Sequence, residues 1–489
     1  MSGLELLGLI MLIVMIGAIF IGVPISFTLL FLALAFGYLG LGDTVFDLAY
    51  FQTLGMMKEE LLAAVPLFIF MGFVTEQAGL MERLFIAFRF LLAPVRGALF
   101  LVVILTATVF AMATGIVGAA VTVLGIMAAP IMIKTGYDAK LAAGTITAGG
   151  TLGILIPPSV MLIVMGPVLG VSVADLYAAA FGPGFLLAGI YVVYLMVRCF
   201  INPKLGPPVP KEERVHGVLR ILGEVAIGIV PLALLIAFTL GTILAGMATP
   251  TEASAMGAAG ALLLALVYRR FSFAGLKRAL LSTMATSSMV LLLAVTSNVF
   301  GAVFARLGTA TWVTDSMLAL PLSPMLMLTV VLFLIFLLGW PFEWPAIVLV
   351  FLPIFYPVIA ALKFDLVWFG ALVAVVLQTA FLSPPVAMSA YYLKQVVKDW
   401  SLATIYRGMF QFMMLQVLAI AAIVAFPPIA TWFPQYLQAN ALLTPTEHIE
   451  DKVRQQDYDD DPYSRQSEEA GEKRDAQERS TEQPAQQPK

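Results

Sequence analysis

The sequence predicts an all-α integral membrane protein. It reads as a polytopic bundle of about 11–13 transmembrane segments with inverted repeats, two re-entrant hairpins and two broken helices. Three observations predict it: apolar runs sustained along most of the chain, two Pro-Pro dipeptides at matching places in similar stretches, and basic residues that change sides between those stretches. Of the 489 residues, 61% are hydrophobic and 12% are charged, about half the charged fraction of ordinary soluble proteins. Mean hydropathy is +0.97.

The apolar runs come first. Residues 5–22, 99–133, 221–247, 325–338 and 408–430 are examples, and a spanning helix needs about 20 mostly apolar residues. The run at 5–22 has no basic segment ahead of it and further apolar segments follow at once, so it reads as a retained helix rather than a cleaved signal. The lipid bilayer is therefore the expected surrounding, and no nucleic-acid partner is expected. Cys199 is the single cysteine, and His216 and His448 both lie in polar segments. Those counts exclude an internal disulfide and argue against His/Cys metal clusters and His-based catalysis. No GxxxxGK[ST] run occurs, so any transport draws its energy from ions or from another subunit. Residues 436–489 hold 13 acids and 7 bases, against 17 and 20 in residues 1–435. That polar segment, poor in apolar periodicity, is expected to be a disordered tail.

The repeat comes next. Pro130, Asp138, Pro157 and Pro158 match Pro357, Asp365, Pro384 and Pro385 at one constant offset. Residues 1–210 then form a first half with a hairpin at about 97–130 and a broken helix at about 140–170. Residues 211–435 form a second half, with a hairpin at about 324–356 and a broken helix at about 366–395. In the first half Lys134 and Lys140 precede the Pro-Pro segment and no base follows in 171–183. In the second, Lys363 alone precedes it while Lys394, Lys398 and Arg407 follow. Lys and Arg favour cytoplasmic loops, so the halves are read as inverted, an arrangement typical of secondary transporters. The same reasoning puts the tail outside.

The breaks carry the candidate site. Each Pro deletes a backbone donor, and in lipid the freed carbonyls are tolerated only inside protein or beside a wet cavity. Residues 149–159 and 380–385 are therefore expected to unwind and to hold an alkali cation or an anionic solute. Two earlier interruptions, Ala113–Gly118 and Gly339–Pro345, sit midway along apolar stretches as hairpin tips would. Glu343, an acid deep in such a stretch, is either functional or a local cap. Thr249 or Thr251 with Glu252 reads as a helix cap, and Asn298 as a hydrogen bond between helices.

These segments together, FAMATGIVGAA, GYD, GGTLGILIPPS, ATPTEASA and LSPPVAMS, resemble the large membrane subunit of tripartite ATP-independent periplasmic (TRAP) transporters. The resemblance covers about residues 5–435. It implies a sodium-coupled importer of small organic acids, not an enzyme, in the bacterial inner membrane. It also implies an elevator-type moving domain, a periplasmic substrate-binding protein and a small four-helix membrane subunit. Carried across residue by residue, the Na⁺ or substrate site falls on Thr114, Gly115 and Gly118 at the first tip and on Gly150, Thr151 and Pro157 at the first break. At the second tip it falls on Gly339 and Glu343, and at the second break on Ser383, Pro384 and Met388. This chain departs from the family where Thr114-Gly115-Ile116 replaces a common Ser-Gly-Ser and Glu343 a common Asp. A stand-alone symporter of related architecture is the alternative, distinguished by whether transport needs a binding protein. An intramembrane enzyme pairing Glu343 with Asp138 or Asp365 is disfavoured, because both aspartates sit at mirrored loop positions.

Overall fold

The computed structural model describes residues 2–115, 117–208, 218–384 and 387–440, with the backbone alone at Thr114 and at 218–221. Every regular element among them is helical. Helices α1 (Gly3–Ile21), α2 (Ile25–Leu41) and α3 (Thr44–Met57) lead through a tight turn at Glu60–Ala63 into α4 (Ala64–Gln77) and α5 (Leu80–Leu92). Two arms, α6 (Ala98–Thr114) and α7 (Val117–Lys134), form the first hairpin. Next come α8 (Ala139–Thr151), a 3₁₀ turn at Leu152–Ile154, α9 (Val160–Leu169) and α10 (Val173–Ile201).

The second half opens with α11 (Val218–Ile236), a π-turn at Ala237–Gly241, α12 (Thr242–Leu244) and α13 (Pro250–Val267). Then come α14 (Phe273–Arg306) and α15 (Thr309–Leu318). The second hairpin consists of α16 (Pro324–Leu338) and a return arm built from α17 (Trp344–Ala346), a π-turn at Ile347–Phe351 and α18 (Leu352–Ala361). Helices α19 (Leu366–Leu382), α20 (Met388–Val396), α21 (Leu402–Ala425) and α22 (Pro428–Ala439) complete the bundle. Residues 436–439, read from the sequence as the start of the polar tail, are the last turn of α22. The rest of that tail, 441–489, lies outside the described residues.

Nine helical segments among the described residues are long and apolar enough to cross a membrane, and five shorter apolar helices accompany them. The shorter ones include the ascending hairpin arms and α9 and α19 beside the breaks. Local chemistry sets several ends. Ser2 and Glu5 close a capping box on α1, and Thr249 and Glu252 close another on α13, with Pro250 in its first turn. The Thr249–Glu252 motif is thus a helix cap.

The repeat seen in the sequence governs the helix starts. Helix α7 begins at Val117 and its counterpart arm at Trp344; α8 begins at Ala139 and α19 at Leu366. The Asp138 carboxylate accepts the Leu141 amide at 2.8 Å, and that of Asp365 accepts the Trp368 amide at 2.9 Å. The Thr151 hydroxyl also bonds Gln378 Oε1 at 3.3 Å, across a separation of 227 residues, which is the repeat offset itself. Equivalent residues of two repeats touch only at the axis that relates them, so this buried pair marks the pseudo-twofold axis.

Two packing groups surround that axis. In an outer frame, α4 packs on α13 and α14, α14 on α2 and α3, and α5 on α11. In an inner group, α8 packs on α7 and α21, α19 on α21, α10 and α16, and α20 on α7. Phe20 of α1 and Phe27, Phe31 and Leu39 of α2 are exposed, as lipid-facing side chains should be, since lipid tails are as apolar as the helices they solvate.

Candidate transport site

The Pro-Pro segments unwind the chain where backbone chemistry requires. Pro157 and Pro158 cannot donate to the carbonyls four residues back, those of Gly153 and Ile154. Helix α8 accordingly runs through Thr151, tightens to a 3₁₀ turn at Leu152–Ile154 and is non-helical until Val160. The expectation that 149–159 unwinds as a whole is thus corrected: Gly149, Gly150 and Thr151 are helical. The small residues there serve close packing, since a Cβ on Gly150 would lie 3.0 Å from the Val121 amide nitrogen. At the second break α19 runs through Leu382, so Ala380–Leu382 are helical too, and α20 begins at Met388. Pro384 is exposed at this break, and Pro385 lies outside the described residues.

The two breaks differ in their hydroxyls. Ser159 Oγ donates to the Ile154 carbonyl at 2.5 Å, closing the first break on itself. Ser383 Oγ and Ser389 Oγ at the second break are buried and have no hydrogen-bond partner among the described residues. Ala387, between them, adopts φ 32°, ψ 57°, a left-handed conformation that costs a non-glycine residue about 1–3 kcal/mol.

Each hairpin tip is seated on the break of its own repeat. Gly115 ends α6 in a left-handed conformation (φ +61°). A Cβ there would lie 3.5 Å from the Pro158 carbonyl oxygen and 3.8 Å from that of Gly153. At the second tip, a Cβ on Gly339 would lie 2.8 Å from the Ala380 Cβ. Gly118 faces α20, where a Cβ would sit 3.0 Å from the Tyr392 ring.

Both tips and both breaks open on one cavity of about 330 Å³. Gly115, Gly118, Glu343 and Met388, singled out in the sequence, line it. Gly150, Thr151, Pro157, Gly339, Ser383 and Pro384 do not: the first five stand behind the lining, in the packing that holds tips and breaks together, and Pro384 is exposed. The Thr114 side chain lies outside the described residues. Glu343 starts the return arm without capping it, so the local-cap reading is not supported. Its side chain is exposed to the cavity.

Sequence reasoning missed Ile69, Val160, Tyr392 and, on α14, Thr286, Met289 and Val290, whereas Trp344 and Phe381 fell inside its second tip and second break without being named as site residues. The hydroxyl-rich run Ser282-Thr283 and Thr286-Ser287-Ser288 in an apolar helix was the available signal for α14. Asn298, read as an interhelical hydrogen bond, lines a second cavity of about 580 Å³ between α3, α14 and the return arm of the second hairpin.

A multi-pass helical bundle whose two hairpins meet two interrupted helices at one cavity defines a membrane transport permease. Residues 11–429 match the family described as "Tripartite ATP-independent periplasmic transporter, DctM component", and the chain belongs to it. The chain is 30% identical to the sialic acid TRAP transporter large permease protein SiaM of Vibrio cholerae, over 86% of this chain and 96% of that one. It is 29% identical to the C4-dicarboxylate TRAP transporter large permease protein DctM of Rhodobacter capsulatus, over 81% and 91%. It is 26% identical to the 2,3-diketo-L-gulonate TRAP transporter large permease protein YiaN of Escherichia coli, over 76% and 86%. Among solved structures, the Alcanivorax borkumensis YdaH transporter shares the fold, with a TM-score of 0.58 at 15% identity over 88% of this chain and 99% of that one. The family and these relatives are transport permeases, not enzymes.

Proposed function

We propose that this chain is the transport subunit of a sodium-coupled importer of a small organic carboxylate in the bacterial inner membrane. A periplasmic substrate-binding protein delivers the solute, and a small four-helix membrane subunit braces the permease. The observation that carries this reading is the convergence of two hairpin tips and two helix breaks on one cavity. The relatives named for a solute are named for sialic acid, C4-dicarboxylates and 2,3-diketo-L-gulonate, and those solutes are all organic acids.

The residues present fit sodium. A hard alkali cation takes oxygen ligands, and unwound carbonyls supply them at broken membrane helices. The hydroxyls of Ser383 and Ser389, without a partner among the described residues, add two oxygens at the second break. The first break offers less, because Ser159 already occupies the Ile154 carbonyl. The N-terminal ends of α7, α9 and α20, at Val117, Val160 and Met388, lie at the cavity, and such ends favour a carboxylate. In this reading the inner helical group carries the site past the outer frame, as an elevator does.

The test is uptake of radiolabelled organic acids into proteoliposomes holding this chain and its small subunit, with and without the binding protein and a sodium gradient. Uptake should require both. Uptake by this chain alone would instead make it a self-sufficient symporter, and uptake indifferent to sodium would remove the coupling ion.

A further inference from the structure

The lining of the 330 Å³ cavity is specific about what it can hold. Its body is apolar: Ile69, Val290 and Met289 from the outer frame face Trp344, Phe381 and Met388 from the inner group. Side-chain polar groups in the described lining are the Thr286 hydroxyl, the Tyr392 phenol, the Trp344 indole N–H and the Glu343 carboxylate, and no lysine, arginine or histidine is among the described lining residues. Tyr392 already leans on its own helix, its hydroxyl 4.0 Å from Met388 Sδ.

We infer that the solute of this cavity is a monocarboxylate with an apolar body, and that Met289, Trp344 and Phe381 select that body. The inference rests on the carboxylate-import reading and narrows it. Three physical arguments lead there. A polyhydroxylated acid would leave several hydroxyls without partners, and each buried, unpaired polar group costs about 1–3 kcal/mol. A dicarboxylate would bring a second negative charge beside Glu343 with no basic residue to offset it, and like charges that close oppose each other's ionisation. An aliphatic or aromatic body gains instead, at about 25 cal/mol for each Å² it removes from water. The carboxylate end needs no arginine, because the N-terminal ends of α7, α9 and α20 lie at the cavity and helix N-termini favour an anion.

The preference separates this chain from the relatives named for sialic acid and C4-dicarboxylates. It also assigns α14 a selective role, since Met289 reaches the cavity from the frame rather than from the hairpins.

The experiment uses this chain purified with its small subunit in lipid nanodiscs, without the binding protein, so that the cavity alone discriminates. Affinities for 3-phenylpropionate, hexanoate, succinate and N-acetylneuraminate are measured with and without sodium. The expected result is sodium-dependent binding of the two apolar monocarboxylates, about tenfold to a hundredfold tighter than of the other two. Equal or tighter sodium-dependent binding of succinate or N-acetylneuraminate would overturn the inference and leave the carboxylate importer standing. Sodium-dependent binding of none of the four would also overturn the inference, and the carboxylate-import reading would then stand or fall by the proteoliposome uptake assay. Met289→Asn, at a side chain that lines the cavity, should narrow the preference about tenfold. An unchanged preference in that variant would deny the lining its selective role.

Discussion

Ser159 and Ser383 stand at corresponding breaks and do different work. Ser159 donates its hydroxyl to the Ile154 carbonyl, which the prolines had freed. Ser383 keeps its hydroxyl buried and without a partner among the described residues, a cost that a bound cation would offset. Ser383→Ala should therefore raise the sodium concentration for half-maximal uptake about three- to tenfold, the equivalent of about 0.5–1.5 kcal/mol for one lost polar contact. Ser159→Ala should leave that value alone and lower thermal stability instead. If sodium dependence is unchanged in Ser383→Ala, the hydroxyl is not a ligand. The sequence made this residue visible through its Pro-Pro neighbour. It could not show that the two serines differ, because the difference lies in which way each hydroxyl turns. Glu343 was visible for a simpler reason: a carboxylate in so apolar a stretch has few innocent explanations. Met289 was invisible, since one apolar residue among many carries no mark of facing a cavity rather than lipid.

Helices record the repeat more faithfully than side chains do. Corresponding starts at Ala139 and Leu366 are fixed by aspartates that cap the third amide of their helices, so Asp138 and Asp365 are structural. Asp138→Ala and Asp365→Ala should each cost about 1 kcal/mol of stability, the usual worth of such a cap. The substrate concentration for half-maximal uptake should not change. Loss of uptake at native thermal stability would instead return these aspartates to the mechanism. The helix breaks were legible in the sequence because proline's missing donor is a local fact. Their length was not. Glycines at 149 and 150 were read as unwinding, whereas Gly150 admits the backbone of Val121 to close contact within a continuous helix. Small residues serve either purpose, and only the neighbouring arm decides between them.

At the scale of the molecule, the long helix α14 connects the parts that transport would move. Its 34 residues span about 50 Å, well beyond the roughly 30 Å hydrocarbon core. It lines the smaller cavity through Thr286–Val290 and the larger one through Ala294–Ala305. Both cavities also include residues of the second hairpin's return arm, Trp344 in one and Leu349 to Pro357 in the other. Such a seam, with space at two levels along one rail, suits an inner group that slides against a fixed frame. Sequence repeats could announce two halves, but not this division, because frame and inner group each draw on both halves. If the seam slides during transport, a tether across it must stop transport. Ser297 on α14 and Val350 on the return arm line the same cavity, and Cys199, the sole cysteine, can be removed by Cys199→Ala. In that background Ser297→Cys with Val350→Cys, joined by a flexible bifunctional thiol reagent, should abolish uptake. A cleavable reagent should allow recovery once it is cut. The control is a tether inside the frame, Glu60→Cys with Thr251→Cys, where the Thr251 hydroxyl already bonds the Glu60 carbonyl at 3.1 Å. That control should transport normally, because its ends do not move apart. Equal uptake in both tethered proteins would show that the inner group does not need to slide along α14.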